Sequence, residues 1–333
     1  MLLALLGCSA LSQRYAASNL EPGTTMFGLS YPANAQQILH VDVKGEVLWS
    51  YTLPYGVFMQ QGQLGPSMLM DVEPLESGNV LFTVFPGGVY EVDREGRIVW
   101  YYLDDVASHD SDRLDNGNTL IARTWAKKGD FQVIEVDADR KVVWGWVGAG
   151  FGEDERFVSI SDEGDAWMHI TNVDRTPEGL TRVCVRNFNA IVTISPEGEV
   201  VDEFFLQTLP KTTVAETTGT LVGERPHAAE WLDDGRFLLA TRRPDKIVEI
   251  GDGEVTWRFK DPTVASVRDL DRLPGGNTLI AARDRIIEVD PGGTVLWQWT
   301  IPNPPDWTVS WNQLHPLMSV TRVAPDGTFV DRD

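Results

Sequence analysis

Short apolar strands separated by glycine turns recur along the whole chain. One repeated unit has an apolar strand, an acidic residue, a glycine turn, two β-forming residues and a tryptophan. Its copies are residues 40–49, 91–100, 135–144, 193–202, 249–257 and 288–297, the fourth with Asp202 in place of the tryptophan. A second unit precedes most copies and has a turn such as Asn116-Gly117-Asn118 followed by a β-rich run. Two hairpins per repeat, with no sustained helical period, predict an all-β fold.

The copies follow one another at roughly 40 to 58 residues, a period typical of a four-stranded propeller blade. Six copies therefore predict a six-bladed β-propeller. The first copy has no glycine-turn hairpin before it, whereas residues 319–330 supply one at the C-terminus. We therefore expect N- and C-terminal strands to close blade 1 together, which removes an open sheet edge. Insertions at 149–166 and 207–224 are predicted to be loops bordering a site.

The first strand of each propeller blade faces the central channel. Counting back eight residues from each turn glycine predicts one ring residue per blade. In blade 4 this count gives Thr171, and His169 lies two residues earlier on the same strand face. The predicted ring is Met70, His109, His169, His227, Arg268 and Ser319. The acids that follow three of these positions, Asp71, Asp110 and Asp269, are predicted to bond the neighbouring blade or a second histidine nitrogen.

Three histidines at matching register indicate a functional site, although a single strand histidine is usually structural. One hypothesis is a metal site, because histidine is the commonest nitrogen ligand. The other is an oxyanion site, in which imidazole and guanidinium groups bind sulfate, phosphate or carboxylate. Arg186 and Arg268 would repel a divalent cation, which favours the anion, so no metal or other cofactor is expected.

At this point the chain resembles the arylsulfate sulfotransferase family. The resemblance covers most of residues 37–330 and keeps the order of four polar groups. The motifs that carry it are residues 108–118, with His-Asp before an Asn-Gly-Asn turn, 167–173, with Trp-x-His before an asparagine, 186–194, with Arg-Asn before an apolar strand, and 226–228, with a later histidine. The resemblance implies a six-bladed propeller that moves a sulfuryl group between phenols without a nucleotide, through a sulfated histidine.

Carried over, the resemblance makes His227 the nucleophile. Arg186, His169 and His109 would bind the sulfate oxygens, and one of the histidines could protonate the leaving phenolate. The further substrate-binding positions are Arg268, Met70, Trp167 and Asn187, and Trp125, Trp167 and Phe188 could hold an aryl ring. The chain departs from the family at Ala228, where an aspartate or another polar residue is often found.

Composition bounds the remaining possibilities. The chain has 333 residues, 42% of them hydrophobic, with 12 tryptophans, which is enough for one packed domain over residues 21–333. A net charge of −21 without a basic patch argues against nucleic acid. The partners expected are small aryl sulfates and phenols.

An apolar run at the N-terminus ends in Leu5-Leu6-Gly7-Cys8, which resembles a bacterial lipobox. Residues 1–20 are therefore predicted to be a lipoprotein signal and anchor, with Cys8 lipidated. This places the protein in the cell envelope, on the periplasmic or extracytoplasmic face. The other cysteine, Cys184, is interpreted as a free buried thiol.

Three alternatives to the sulfotransferase-like enzyme stay open. Blades of this kind also resemble non-catalytic, lipid-anchored assembly scaffolds, which would leave the histidine ring unexplained. A quinone-dependent dehydrogenase calls for a calcium site that the inner register does not offer. A bound divalent metal would instead favour a metal-dependent hydrolase or lactonase.

Overall fold

The computed structural model describes residues 19–30, 35–54, 68–153, 159, 166–206, 224–232, 234–243, 245–301 and 316–325. In this part of the chain the strands form six four-stranded sheets, and every paired strand within a sheet is antiparallel. The first strands of neighbouring sheets lie against one another around a common channel. The predicted six-bladed β-propeller is therefore confirmed. None of the described residues belongs to a helix long and apolar enough to cross a membrane.

The strands of each blade follow one another outward from the channel. Blades 1 and 2 consist of Leu317–Val323, Thr24–Leu29, Gln37–Val41 and Val47–Thr52, and of Met68–Pro74, Val80–Phe85, Gly87–Val92 and Ile98–Asp104. Blades 3 and 4 consist of Ser111–Arg113, Thr119–Ala122, Val133–Val136 and Val142–Trp146, and of Ile170–Arg175, Thr181–Val185, Ala190–Ile194 and Val200–Phe205. Blades 5 and 6 consist of Glu224–Trp231, Phe237–Arg243, Asp245–Gly251 and Glu254–Phe259, and of Asp269–Arg272, Thr278–Ala281, Arg285–Val289 and Val295–Thr300. One 3-10 helix, Arg186–Phe188, follows the second strand of blade 4.

Blade 1 is closed by both ends of the chain, as predicted. Leu317–Val323 is its first strand and pairs with Thr24–Leu29, so the C-terminal strand lies at the channel and the N-terminal strand lies next to it. The sequence predicts that a C-terminal hairpin over residues 319–330 supplies strands of this blade. Instead, the N-terminal segment supplies the second strand, and residues 326–333 lie outside the described part.

The repeated tryptophans connect neighbouring blades. Each indole Nε1–H donates to a backbone carbonyl in the outer turn of the next blade: Trp49 to Arg94, Trp100 to Ala138, Trp144 to Pro196, Trp257 to Pro291 and Trp297 to Val43. The bond that is missing from this series belongs to blade 4, where Asp202 replaces the tryptophan. The repeat in the sequence therefore marks contacts between blades.

An ion pair that is partly or fully buried reinforces four of the six junctions. An arginine on the first strand of one blade reaches a glutamate on the third strand of the preceding blade, and its guanidinium lies over that blade's tryptophan. The sets are Arg113–Glu91–Trp100, Arg175–Glu135–Trp144, Arg272–Glu249–Trp257 and Arg322–Glu288–Trp297. Blade 1 has His40 at the glutamate position, and the arginine that would reach it is replaced by Pro74 in blade 2.

A polar belt joins the first strands around the channel. In each pair a side chain accepts the backbone N–H of the next blade: Asp71 from Ser111, Asp110 from Val173, Asn172 from Ala229, Asp269 from Val320 and Ser319 from Val72. The predicted role of the three aspartates in bonding the neighbouring blade is thereby confirmed. Blade 5 has Ala228 at this position, and the N–H of Leu270 is bound by Asp269 at 3.0 Å instead.

Apolar residues fill the spaces between blades. One buried cluster, for example, combines Leu120 and Val133 of blade 3 with Val183 and Val192 of blade 4. Sharing each core between two blades makes every blade depend on its neighbours. The predicted insertions at 149–166 and 207–224 and the predicted anchor at 1–20, Cys8 included, lie largely or wholly outside the described residues.

Candidate functional site

The ring positions lie where the first strands depart from regular pairing. The register shifts between Leu69 and Asp71, between Ile170 and Asn172, and between Pro226 and Ala228. The residue inside each shift is Met70, Thr171 or His227, directly before the belt residue of its blade. Because bulges of this kind redirect side chains and are frequent beside active sites, they explain why these positions carry different chemistry from the rest of the strand.

The prediction that Ser319 belongs to the ring is wrong. Ser319 is the belt residue of blade 1, where its Oγ accepts the N–H of Val72 at 3.2 Å, and Met318 takes the ring position before it. The count back from Gly327 assumed that one hairpin forms the first two strands. Because Thr24–Leu29 supplies the second strand, the C-terminal turn does not set the register.

The structure brings the three predicted histidines together. The imidazole centroid of His109 is 5.1 Å from that of His169 and 5.1 Å from that of His227. His169 and His227 are buried, with 6% and 2% of their surface exposed, whereas His109 is half-buried. The Nδ1 atom of His109 is hydrogen-bonded to Ser108 Oγ at 3.0 Å. Residues from blades 3, 4 and 5 thus form one histidine cluster, defined as His109, His169 and His227.

The backbone around the histidine cluster is unusual. His109 and His169 have positive φ angles of 72° and 53°, and Arg225 and Ser266, each two residues before a ring position, have φ angles of 60° and 54°. Non-glycine residues adopt this left-handed region at a cost of about 1–3 kcal/mol, so it persists only where the surroundings impose it. The bond from the Arg225 N–H to Asn189 Oδ1, 2.7 Å long, is one such restraint.

The short helix Arg186–Phe188 places an arginine next to the cluster. The Arg186 N–H donates to the His169 carbonyl at 3.3 Å, and the Asn187 N–H donates to the Met168 carbonyl at 3.1 Å. The Asn187 side chain donates to the Ala166 carbonyl at 2.7 Å and accepts from Arg186 Nη1 at 3.3 Å. Both ends of the Asn187 amide therefore serve to position Arg186, which is itself 7% exposed.

A second arginine contacts the cluster from blade 6. Arg268, 6% exposed, is hydrogen-bonded through Nη1 to Nε2 of His227. Arg242, on the second strand of blade 5, also acts on His227 electrostatically. The sequence does not predict Arg242 as a site residue, because it lies outside the first strand of its blade.

Burial and the positive charges around His227 keep its imidazole neutral. Burial is the main reason that its pKa lies well below 6.5, and positive charge on Arg268, His109, Arg242 and Arg186 lowers it further, in that order. A protonated imidazole would add another buried cation to those of Arg186 and Arg268. His227 is therefore neutral at pH 7, while the surrounding guanidinium groups attract anions.

Aromatic side chains flank the cluster on one side. Trp125 lies 5.5 Å from His169 between ring centroids and is stacked on Phe85 at 5.1 Å. Trp167 packs edge-on against Phe188 at 5.9 Å, with the Lys128 ammonium 5.5 Å from its ring. Trp125 is the predicted aryl-binding residue that lies beside a histidine of the cluster.

The far end of the channel is acidic. A cavity further along the first strands is lined by Asp112, Asp174, Glu230 and Asp271, among others. Burial is the main cause that raises the pKa of Glu230 well above 4.5, and the neighbouring Asp271 raises it further. The channel is thus cationic at the histidine cluster and acidic beyond it. Among the described residues no group of three or more histidine, cysteine or acidic side chains could hold a metal ion.

Met70 and two residues outside the predicted site have ordinary environments. Met70 is buried at its ring position. Cys184 is a buried free thiol whose pKa is raised to about 12, chiefly by burial. His40 lies away from the cluster, where its Nε2 is hydrogen-bonded to Thr24 Oγ1 at 2.6 Å.

Comparison with known proteins gives a family and a fold. A family model described as Arylsulfotransferase (ASST) matches residues 15–202, which include His109, His169 and Arg186 but end before His227. The fold is similar to that of a protein of unknown function from Bacteroides caccae, with TM-score 0.60, 16% identity, and coverage of 90% of this chain and 98% of that one. It is also similar to virginiamycin B lyase from Staphylococcus aureus, with TM-score 0.52, 14% identity, and coverage of 84% and 89%. At these identities the likeness concerns the fold alone. No curated protein matches the chain.

Proposed function

The chain belongs to the arylsulfotransferase family, and on that premise we propose that it transfers a sulfuryl group from an aryl sulfate to a phenol through a covalent intermediate on His227. The observation that carries the proposal is the histidine cluster itself. It combines a neutral, buried imidazole with two more histidines, each adjoining pair 5.1 Å apart between ring centroids, and with arginines on either side.

The first half of the reaction uses His227 as nucleophile. Its Nε2 lone pair attacks the sulfur of the bound aryl sulfate, the N–S bond forms, and the S–O bond to the aryl group breaks with its electrons left on the phenolate. Arg186, His169 and His109 bind the sulfuryl oxygens, where positive charge stabilises the charge that develops in the transition state. His109 or His169 gives a proton to the phenolate.

The second half reverses these steps with another phenol. The acceptor loses its proton to the histidine that gave one up, its oxygen attacks the sulfur, and the N–S electrons return to Nε2. The donor and acceptor exchange at one site, so ping-pong kinetics are expected. No nucleotide is needed as a carrier, because the sulfuryl group passes from the donor to His227 and from His227 to the acceptor.

The aryl ring of the donor is proposed to lie on the aromatic side of the cluster. Trp125 is beside His169, and its stacking on Phe85 fixes the plane of the indole. Phenols and aryl sulfates offer a flat apolar face to such a surface. Met70 and Arg268 border the same channel at ring positions.

We further propose that the protein is lipid-anchored in the cell envelope through Cys8. The support is the sequence Leu5-Leu6-Gly7-Cys8. Cell fractionation tests it: the unaltered protein should sediment with membranes, and Cys8→Ser should release it. Equal distribution of the two proteins would refute the anchor.

The catalytic proposal is tested with 4-nitrophenyl sulfate as donor and phenol as acceptor. Nitrophenolate release should be slow without phenol and rise with its concentration. His227→Ala should lower the rate by at least roughly a hundredfold, the lower range for removing a group that acts on the reacting atoms. His40→Ala is the matched control, since this histidine lies outside the cluster. Turnover that survives in His227→Ala would refute the proposed nucleophile, and absence of turnover in the unaltered protein would favour a non-catalytic scaffold.

A further inference from the structure

The hydrogen bond between Arg268 and His227 fixes where the imidazole carries its proton. A guanidinium group has only donors, so Arg268 Nη1 donates and His227 Nε2 accepts. Nε2 must then hold a lone pair, and the proton of the neutral ring is on Nδ1. Both side chains are more than nine-tenths buried, which makes this a hydrogen bond inside the protein.

Arg268 is the residue that orients this imidazole. Among the described residues the His227 ring makes one hydrogen bond, to Arg268, and its buried Nδ1 makes none. The position after His227, which in the other blades carries a polar belt residue, is Ala228 and offers nothing to the ring. Arg268 is in turn held by its own N–H, which donates to the Ala281 carbonyl at 2.9 Å.

We propose that Arg268 is a positioning residue for the sulfuryl-accepting histidine: it keeps His227 in the Nδ1-protonated tautomer with Nε2 directed into the channel, and it transfers its hydrogen bond to the sulfuryl group when the donor binds. This inference rests on the proposed function. It assigns to Arg268 a task different from that of Arg186, which approaches the cluster from the helix Arg186–Phe188.

The chemical step balances under this assignment. The Arg268 N–H moves from Nε2 to a sulfuryl oxygen, which frees the lone pair that forms the N–S bond. The S–O bond to the aryl group breaks and its electrons go to the phenolate. The sulfated imidazole keeps its Nδ1 proton and carries one positive and one negative charge, so no additional base is needed at His227. When the acceptor removes the sulfuryl group, the Nε2 lone pair returns and Arg268 donates to it again.

The charges on every element packed against His227 act in the same direction. Arg242 faces it from the adjoining strand, Arg186 from the short helix, Arg268 from blade 6 and His109 from blade 3. The carboxylates on the neighbouring first strands are engaged elsewhere. Asp269 accepts the N–H groups of Leu270 and Val320. Asp174 and Asp271 line the acidic cavity further along the channel.

Removing Arg268 should therefore change both the tautomer and the proton affinity of His227. In Arg268→Met the largest of the four charge contributions is absent, so the His227 pKa should rise, while burial, the main cause of its low value, still holds it below 6.5. A pKa of about 6.5 would lower the neutral fraction about tenfold at pH 5.5 relative to pH 7.5, and this sets the upper limit of the effect. We expect kcat/KM of Arg268→Met to fall over this range by a measurable factor of up to about ten, while the unaltered protein stays nearly flat. Arg268→Lys should keep most of the flat profile, because the charge and one donor remain.

Nitrogen-15 NMR of the histidine rings provides a readout without turnover. His227 resonances are assigned by comparison with His227→Gln, and the experiment uses the full chain without substrate. The unaltered protein should show His227 neutral and protonated on Nδ1 at pH 6.5, and Arg268→Met should show a mixed or Nε2-protonated ring with a higher pKa. Arg285→Met is the control, since Arg285 pairs with Asp284 outside the cluster.

The outcomes separate the two proposals. An Nε2-protonated His227 in the unaltered protein overturns the role of Arg268 without any variant. So does a pH profile of Arg268→Met that matches the unaltered protein while a sulfuryl adduct still forms. If the NMR titration shifts as expected but no sulfuryl adduct ever forms, Arg268 positions His227 and the proposed transfer reaction is wrong.

Discussion

The buried pair of Arg322 and Glu288 fastens the C-terminal strand to blade 6, and its removal should destabilise the whole propeller. The exposed fractions of the two side chains are 1% and 0%. Glu288 also accepts the Glu21 N–H at 2.8 Å and the Asn277 amide at 2.7 Å. Arg322→Met keeps an unbranched apolar stem but leaves this carboxylate buried without its cation.

Breaking a buried ion pair from one side costs about 3–5 kcal/mol. For a chain of this length the unfolding entropy is about 0.7 kcal/mol per kelvin, so Tm should fall by about 4–7 °C. Scanning calorimetry at pH 7.5 measures this directly. Arg97→Met is the matched control, because Arg97 forms pairs with Asp93 and Glu95 but its side chain is 73% exposed. That variant should shift Tm by about 1 °C or less.

A double variant distinguishes an unpaired charge from lost packing. Arg322→Met combined with Glu288→Gln removes both charges and should regain part of the lost stability, because no carboxylate is then left uncompensated and an amide oxygen can still accept the Glu21 and Asn277 N–H groups. The reasoning is refuted if Arg322→Met differs from Arg97→Met by less than about 1 °C. It is also refuted if the double variant has a lower Tm than Arg322→Met.

Three further predictions concern separate parts of the molecule. Trp144→Phe removes the indole N–H that donates to the Pro196 carbonyl at 2.8 Å; the bond is worth about 1 kcal/mol, so Tm in a thermal melt should fall by at least about 1 °C, and an unchanged melt would contradict the interblade role of the tryptophans. The raised pKa of Glu230 means that the folded state binds this proton more tightly, so stability is present at low pH and is lost as pH rises through the folded pKa. Tm should therefore fall less between pH 5 and pH 8, as approximate limits, in Glu230→Gln than in the unaltered protein, and equal slopes would contradict the assignment. Dialysis against EDTA should leave sulfuryl transfer unchanged, whereas a loss restored by a divalent cation would contradict an oxyanion site without metal.

The sequence was sufficient to predict the blades because the same short pattern is repeated six times. The glycine turns and tryptophans fix the spacing of strands, and this spacing places His109, His227 and Arg268 at equivalent positions. His169 also joins the cluster, although its blade has a longer turn. The geometry of the candidate site could therefore be predicted largely from the register of the repeats.

The remaining contacts depend on residues that come from different blades. Met318 takes the ring position predicted for Ser319, because the second strand of blade 1 comes from the N-terminus. A count of residues near the C-terminal turn cannot reveal this. Arg242 acts on His227 from a second strand. The hydrogen bond of Arg268 to His227 joins residues 41 positions apart, and neither residue type alone indicates which ring nitrogen is bound. Such pairings become visible only when neighbouring blades are packed together.

The central claim is that His227 carries the sulfuryl group between the two phenols. The most direct test is intact-mass analysis after a brief incubation with excess 4-nitrophenyl sulfate and no acceptor. The unaltered protein should gain one sulfuryl group, about 80 Da, and should lose it when phenol is added. His227→Ala should gain no mass. An unmodified protein that still releases nitrophenolate, or an equal gain of mass in His227→Ala, would contradict the account.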